Sequence, residues 1–264
     1  MADVDSHTPG TFSWPELATT DQKAGVAFYR SLFDWGLNEQ PMGPTEMYSM
    51  FTLRGREVAA AYTQRDDEKK MGIPPHWNSY ITVENVDETA RRVPGLGGRI
   101  LAPPFDVMDA GRMAVVQDPT GAVFQIWQAK RSIGAKVLRE PGALTWTELH
   151  TRDTRAAAAF YTQLLGWSAK TGGEGANAYT EFTPQGGSYP TAGMMDMAHM
   201  GPQAANIPPH WLPYFQVADV DATANKAKQQ GGQVHVPPMD IPNVGRFSVI
   251  ADPQGAVLAL YKPK

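Results

Sequence analysis

The sequence predicts an α+β protein of two tandem domains, each made of two modules with the order strand, helix, three strands. Three observations carry this reading. The chain has 264 residues, too many for one small module and well matched to two domains of about 130 residues. Long blocks of the first half return in the second without a change of order. Within each half, apolar residues switch from the alternation of strands to the four-residue step of a helix, and that switch itself recurs.

The repeat is explicit. FSWPELATTDQKAGVAFYRSLFDW at 12–35 returns as LTWTELHTRDTRAAAAFYTQLLGW at 144–167, displaced by 132 residues. Trp14, Glu16, Phe28, Tyr29, Leu32 and Trp35 match Trp146, Glu148, Phe160, Tyr161, Leu164 and Trp167. PPHWNSYITVENVD at 74–87 returns as PPHWLPYFQVADVD at 208–221, and GRMAVVQDPTGAVFQIW at 111–127 as GRFSVIADPQGAVLALY at 245–261, both displaced by 134. Domains at 10–130 and 142–263 follow, with a linker at 131–141 whose charges and Pro-Gly pair suit a crossover on the surface.

Each element has a local reason. TFSWPEL alternates like a half-buried strand, and Thr20 or Asp21 can cap a helix on which Ala24, Phe28 and Leu32 recur. A strand near Trp35 to Glu39 precedes MYSMFTL and EVAAAYT, which the turn-prone RGR joins as a hairpin. Beyond MGIPPH come the strand NSYITV, the helix VDETARRV and the strands RILA, RMAVVQ and AVFQIW. YTEFTP, TAGMMDM, PYFQV, the helix DATANKAKQQ, QVHV, RFSVI and AVLALY repeat the plan. Asp118-Pro119-Thr120-Gly121 and Asp252-Pro253-Gln254-Gly255 read as β-turns, with Asp binding backbone groups and Gly relieving the crowded position. A four-stranded sheet with one helix leaves an apolar face uncovered, so modules pair, and fusion lowers the entropy cost of bringing them together.

Composition excludes several classes. Apolar residues make up 42% and charged residues 19%, the balance of a globular chain rather than a disordered one. Twenty-three Lys and Arg against 27 Asp and Glu leave a net charge of −4, which gives no positive field for nucleic acid. Cysteine is absent, so disulfides, thiolate metal sites and cysteine nucleophiles are excluded. No apolar stretch approaches the roughly 18 residues of a membrane span, and the opening MADVDSHTPGTF has neither a basic nor an apolar leader region. No membrane partner is expected, and cytoplasm is the default location. Phosphate-binding glycine loops and serine-hydrolase elbows are missing too.

The F-Y-x-x-L-F/L-x-W helix block, the hairpin after it, and GR(M/F) followed by DP(T/Q)GAV and a last apolar strand resemble the vicinal oxygen chelate superfamily. More narrowly they resemble its tandem glyoxalase or bleomycin-resistance-like members, from Phe12 to Tyr261. That resemblance implies paired βαβββ modules around an open barrel-like cavity. Its members include metal-dependent lyases and isomerases, ring-cleaving dioxygenases and non-catalytic antibiotic-binding proteins. The family's metal ligands, commonly His or Glu, sit on inward faces of first and last strands. Carried over, these positions hold Trp14 and Trp146, Asn78 and Leu212, Gln125 and Ala259, Ala60 and the stretch Gly193 to Met195. Gln125 and Asn78 supply only neutral oxygens, so no metal and no other cofactor is expected.

Several residues carry candidate chemistry beside a purely structural reading. Glu16 and Glu148 share a strand face with Trp14 and Trp146, so each acid can serve a ligand as proton acceptor or merely accept structural hydrogen bonds. His150 lies on the face of Glu148, where the first domain has Ala18. It can start an irregular metal or acid–base site with Asp196, Glu181 or His210, or be structural. The PPHW segments hold His76, Trp77, His210 and Trp211 near a cavity mouth, as ligand contacts or as loop tethers. Arg112 and Arg246 can clamp a ligand carboxylate, or pair with Asp106 and Asp240 six residues upstream. Tyr29 and Tyr161 are expected to reach a partner through their hydroxyls while Phe28 and Phe160 pack, and Met194, Met195, Met197 and Met200 to fill core or line a pocket.

The expected function is a glyoxalase-like small-molecule-binding protein with metal-independent lyase or isomerase chemistry. Glu148 transfers the proton, His150 or His210 orients it and Arg246 holds developing negative charge, with Glu16, His76 and Arg112 as the equivalents in the first cavity. The alternatives are a non-catalytic antibiotic or metabolite binder, with tryptophans stacking on an aromatic ligand, and a metal-dependent enzyme using an irregular second-domain site. The partner is a small organic or aromatic ligand, and the duplication leaves homo-oligomerisation possible but not required.

Overall fold

A computed structural model describes residues 3–43 and 46–264; Met1 and Ala2, the start of the opening stretch, lie outside it. The first domain runs β1 Phe12–Thr19, α1 Gln22–Phe33, β2 Gly36–Pro41, β3 Met47–Leu53, β4 Arg56–Thr63, α2 Asp66–Lys70, β5 His76–Thr82, α3 Val86–Arg92, β6 Arg99–Val107, β7 Gly111–Gln117 and β8 Val123–Ala129. The second runs β9 Leu144–Thr151, α4 Thr154–Leu165, β10 Ser168–Gly172, β11 Tyr179–Thr183, β12 Ala192–Asp196, β13 His210–Gln216, α5 Val220–Gln229, β14 Gln233–Ile241, β15 Gly245–Ala251 and β16 Val257–Pro263.

Each domain is one open eight-stranded sheet, ordered β2-β3-β4-β1-β5-β8-β7-β6 and β10-β11-β12-β9-β13-β16-β15-β14. The two modules of a domain meet through their first strands: β1 runs antiparallel to β5 and β9 antiparallel to β13. Asp21, not Thr20, caps α1, its carboxylate accepting the Ala24 amide at 3.0 Å, and Asp153 repeats this on Ala156 at 2.9 Å. Charged DDEKK has no apolar period to announce α2, which forms because Glu68 returns to the Arg65 amide at 2.7 Å.

The helix-bearing faces of the two sheets cover each other, α1 lying by α5 and α3 by α4. One core joins Phe28, Tyr29, Phe33 and Trp35 to Phe215 and Val220 of the other domain. A second joins Val83, Phe124 and Ile126 to Phe160, Tyr161 and Trp167. Polar clasps cross the same boundary. Trp35 Nε1 donates to the Gly142 carbonyl at 2.7 Å, Trp167 Nε1 to the Gly10 carbonyl at 2.8 Å, and the Tyr161 hydroxyl to Asp118 Oδ2 at 3.0 Å.

The linker is only partly a surface crossover: Arg131, Arg139 and Pro141 are exposed, but its middle is not. Ala135 and Val137 are fully buried. Parallel pairing of β1 with β4 starts only at Glu16 and Ala60. Before that point the strands diverge, and the linker fills the gap: the Ala135 amide donates to the Ser13 carbonyl and the Lys136 amide to the Glu57 carbonyl, both at 2.7 Å. Approach is so close that a Cβ on Gly134, whose φ is +99°, would lie 2.5 Å from the Ser13 oxygen.

Candidate functional site

Strand alternation sends Leu17, Trp77 and Ile81 to the helix side and Trp14, Glu16, Asn78 and Tyr80 to the concave side, where Gln125 and Trp127 join them. The second sheet does the same with Glu148, His150, His210 and Tyr214, and Trp146 packs beside Tyr214. The concave faces of both sheets line about 2770 Å³ of open space.

In the first hollow, Glu16 is 8% exposed. The Tyr48 hydroxyl donates to its Oε1 and the Tyr80 hydroxyl to its Oε2, each at 2.7 Å, while Trp14 Nε1 donates to Tyr48 Oη at 3.0 Å. Burial pushes the Glu16 carboxyl above the usual range, against the opposing pull of both tyrosines. Gln125 Nε2 donates to Asn78 Oδ1 at 2.7 Å. His76 is tied to the Pro74 carbonyl through Nδ1 at 2.8 Å and faces Asn78 Oδ1 through Nε2 at 3.2 Å.

The second hollow keeps this frame and changes its charge. Glu148 is 6% exposed. It accepts from the Tyr179 hydroxyl at 2.6 Å and the Tyr214 hydroxyl at 2.9 Å, with Trp146 Nε1 donating to Tyr179 Oη at 3.0 Å. His150 Nε2 lies 2.7 Å from Glu148 Oε1, and His150 Nδ1 is buried with no partner. Burial acts to raise the Glu148 carboxyl, but His150 with Tyr179 and Tyr214 outweighs it, and the group sits below its usual range. His210 stands edge-on to His150 with ring centres 4.8 Å apart and bonds the Pro208 carbonyl through Nδ1 at 2.9 Å. Burial, then the neighbouring His150, lower His210 to about 4, so it is uncharged at neutral pH with its proton on Nδ1.

Other expected site residues lie elsewhere. Arg112 donates to Asp87 at 2.7 Å and pairs with Asp106 at 3.3 Å; Arg246 pairs likewise with Asp221 and Asp240, outside either hollow. Aspartates at the first turns of α3 and α5 capture both forks, so the internal pairing that the sequence also allowed is the arrangement present. Trp77 and Trp211 face the interdomain core, donating to Tyr29 Oη at 3.1 Å and Tyr161 Oη at 2.9 Å, because they alternate with the inward His76 and His210. Their indoles pack in the cores, while both residues also border the open space. Asp196 caps the turn after β12 through the Ala198 amide at 2.8 Å, and Glu181 is exposed, so neither completes a site with His150.

Register also corrects the metal-ligand mapping. Glu16, not Trp14, lies between Ala60 and Asn78, and Glu148, not Trp146, between Gly193 and Leu212. One acid per ring is therefore present. The other positions offer amides in the first sheet and no donor at Leu212, Gly193 or Ala259 in the second. Among the described residues no three His, Asp or Glu side chains gather as a metal site. Glu148 and His150 spend their facing atoms on each other, so these donor sets do not fit a divalent ion.

Four tyrosines were not singled out from the sequence. Tyr80 and Tyr214 follow their inward histidines by four residues in the PPHW blocks, and Tyr48 and Tyr179 recur 131 residues apart. Repetition together with strand parity was the available signal.

Comparison with known proteins adds to the geometry. The model of the Glyoxalase/Bleomycin resistance protein/Dioxygenase superfamily matches residues 11–126 and 132–260. The candidate glyoxylase CFP32 of Mycobacterium tuberculosis is 44% identical over 264 residues, covering 100% of this chain and 98% of the relative. The anthracycline biosynthesis protein DnrV of Streptomyces peucetius is 34% identical over 259 residues, covering 94% and 91%. Among solved structures, the Mn(II)-bound glyoxalase from Novosphingobium aromaticivorans matches with a TM-score of 0.64 at 17% identity over 96% of this chain and 82% of that one. The 2,3-dioxygenase LapB from Pseudomonas sp. KL28 matches with 0.65 at 12% identity over 97% and 93%. At those identities the structures speak for the fold.

Proposed function

Because the chain belongs to the glyoxalase/bleomycin resistance protein/dioxygenase superfamily, we propose that its second domain binds a small carbonyl-bearing organic ligand and moves a proton on it without a metal. The observation that carries this is the buried, unpartnered Nδ1 of His150. Its Nε2 is held 2.7 Å from the Glu148 carboxylate, so the proton of the neutral ring sits on Nε2 and the lone pair sits on Nδ1. Glu148 fixes the tautomer and offsets the charge when Nδ1 takes a proton. Tyr179 and Tyr214 hold the carboxylate still. His210 stays neutral beside the pair and adds no competing positive charge.

The step follows from these roles. A C–H beside the ligand carbonyl gives its proton to Nδ1, and the electron pair moves onto the carbonyl oxygen as an enolate. With an α-hydroxyketone, return of the proton from Nδ1 to the former carbonyl carbon, with the α-hydroxyl proton passing to the former carbonyl oxygen, is an isomerisation. Departure of a leaving group with its electron pair from the β-carbon, as the carbonyl re-forms and a C=C bond joins the α- and β-carbons, is a lyase reaction. Similarity to an anthracycline biosynthesis protein, and the indole of Trp146 flanking the acid, favour an aromatic ligand.

Proton transfer is tested by exchange in heavy water. Aryl α-hydroxyketones incubated with the full chain are expected to lose their α-proton signal by NMR. His150→Asn slows this by about a hundredfold or more, and chelator leaves it unchanged. Equal exchange by His150→Asn, or exchange that chelation abolishes, would overturn the reading.

A further inference from the structure

The first hollow has the aromatic and carboxyl frame of the second but not its base: Ala18 replaces His150 on the strand face beside the acid. We propose that it is a separate, non-catalytic site for an uncharged planar aromatic ligand whose hydroxyl meets Oε1 of Gln125. This goes beyond the proton-transfer reading of the second domain and does not rest on it.

Three features define the ligand. Gln125 is 4% exposed, and its Nε2 is committed to Asn78 while its Oε1 is buried with no partner. A buried acceptor left open is costly, so a ligand hydroxyl that reaches it through a small turn of the Gln125 side chain gains a hydrogen bond there. The inner ring of Trp14, Glu16, Asn78, Tyr80, Gln125 and Trp127 contains no Lys or Arg, and Glu16 is already satisfied by tyrosine donors. Of the cations around the space, Lys136, Arg131 and Arg65 are paired with Glu57, Asp109 and Asp67, and Lys69 is exposed on α2. An anion would thus be desolvated without compensation. The walls and mouth are apolar: Tyr80 meets Trp127 edge-on at 6.2 Å, and Leu101, Phe105 and Met108 are 51%, 42% and 67% exposed at the rim. Flat aromatic surface fits between such walls, and the methionine can adapt to its outline.

Calorimetric titration of the full chain with 2-naphthol, 2-methoxynaphthalene and 2-naphthoate tests this without turnover. The hydroxyl compound is expected to bind about tenfold more tightly than the methyl ether, and the carboxylate most weakly. Gln125→Met should erase the hydroxyl preference, whereas His150→Asn should keep it. Equal binding of 2-naphthol and its ether to the unmodified chain, a comparison that needs no variant, would overturn the proposal. So would a preference lost in His150→Asn but kept in Gln125→Met, which places the probe in the second hollow and leaves the proton-transfer reading standing. Tightest binding of 2-naphthoate would equally overturn it.

Discussion

Glu16 and Glu148 occupy matching strand positions under matching tyrosine pairs, yet their carboxyls shift in opposite directions. A raised folded value means that the stability tied to Glu16 is complete below the ordinary range near 4.5 and lost as pH rises through the folded value. For Glu148 the stability is present above 4.5 and lost as pH falls through its lower folded value. His210 works in the same sense as Glu148, since the unfolded chain takes up its proton near 6.5 and the folded chain only near 4. As pH rises from the ordinary carboxyl range near 4.5 through the raised folded value, Glu16→Gln is therefore expected to gain melting temperature relative to the unmodified protein. Glu148→Gln is expected to lose about 1–3 kcal/mol at neutral pH because His150 faces an amide in place of a charge. Parallel melting curves for both variants across that rise in pH would contradict this account. At this scale the Trp/Glu pairs were legible because residues two apart share a strand face. The tyrosines were not, because β3, β5, β11 and β13 bring them from distant sequence, and the preference of Arg112 for Asp87 depends on how α3 docks.

Elements were the most legible level, since caps and alternation are local. Asp21, Asp153 and Asp219 cap α1, α4 and α5 where the sequence offers a short polar residue before an apolar period. Strand β5 begins at His76 rather than Asn78 because it pairs with β1 as far as Ala18, a partner that local sequence does not reveal. The Asp-Pro turns do more than turn. Asp118 Oδ1 accepts the Thr120, Gly121 and Ala122 amides at 2.8, 2.9 and 3.0 Å, and its Oδ2 receives the Tyr161 hydroxyl from the other domain. Tyr161→Phe should cost about 1–2 kcal/mol in urea titration and Asp118→Ala more, since Asp118→Ala strands several amides. The two effects should be less than additive in the double variant, because they share one hydrogen bond. Strict additivity would show that the turn and α4 are energetically separate.

For the whole molecule, the internal repeat made the two-domain architecture readable, while the way the domains interlock was not. Apolar helix faces announce that something must cover them but do not name the partner, and short Ala and Val side chains gave no warning that the middle of the linker is buried. With Phe33 and Trp35 packed on Phe215, and Phe124 on Phe160 and Tyr161, neither half can be cut away without baring its core. A fragment ending at residue 131 is expected to self-associate or lack a cooperative melt, and mixing with the other half to restore one, as followed by circular dichroism and sedimentation. A monomeric fragment that melts cooperatively would refute this. The paired tryptophan clasps also set an order of events on the ribosome. Trp35 leaves the exit tunnel long before the Gly142 carbonyl it holds, and Gly10 waits for Trp167 to be synthesised. Until then the nascent amino-terminal half is missing both latches, and its apolar helix face stays bare for that interval.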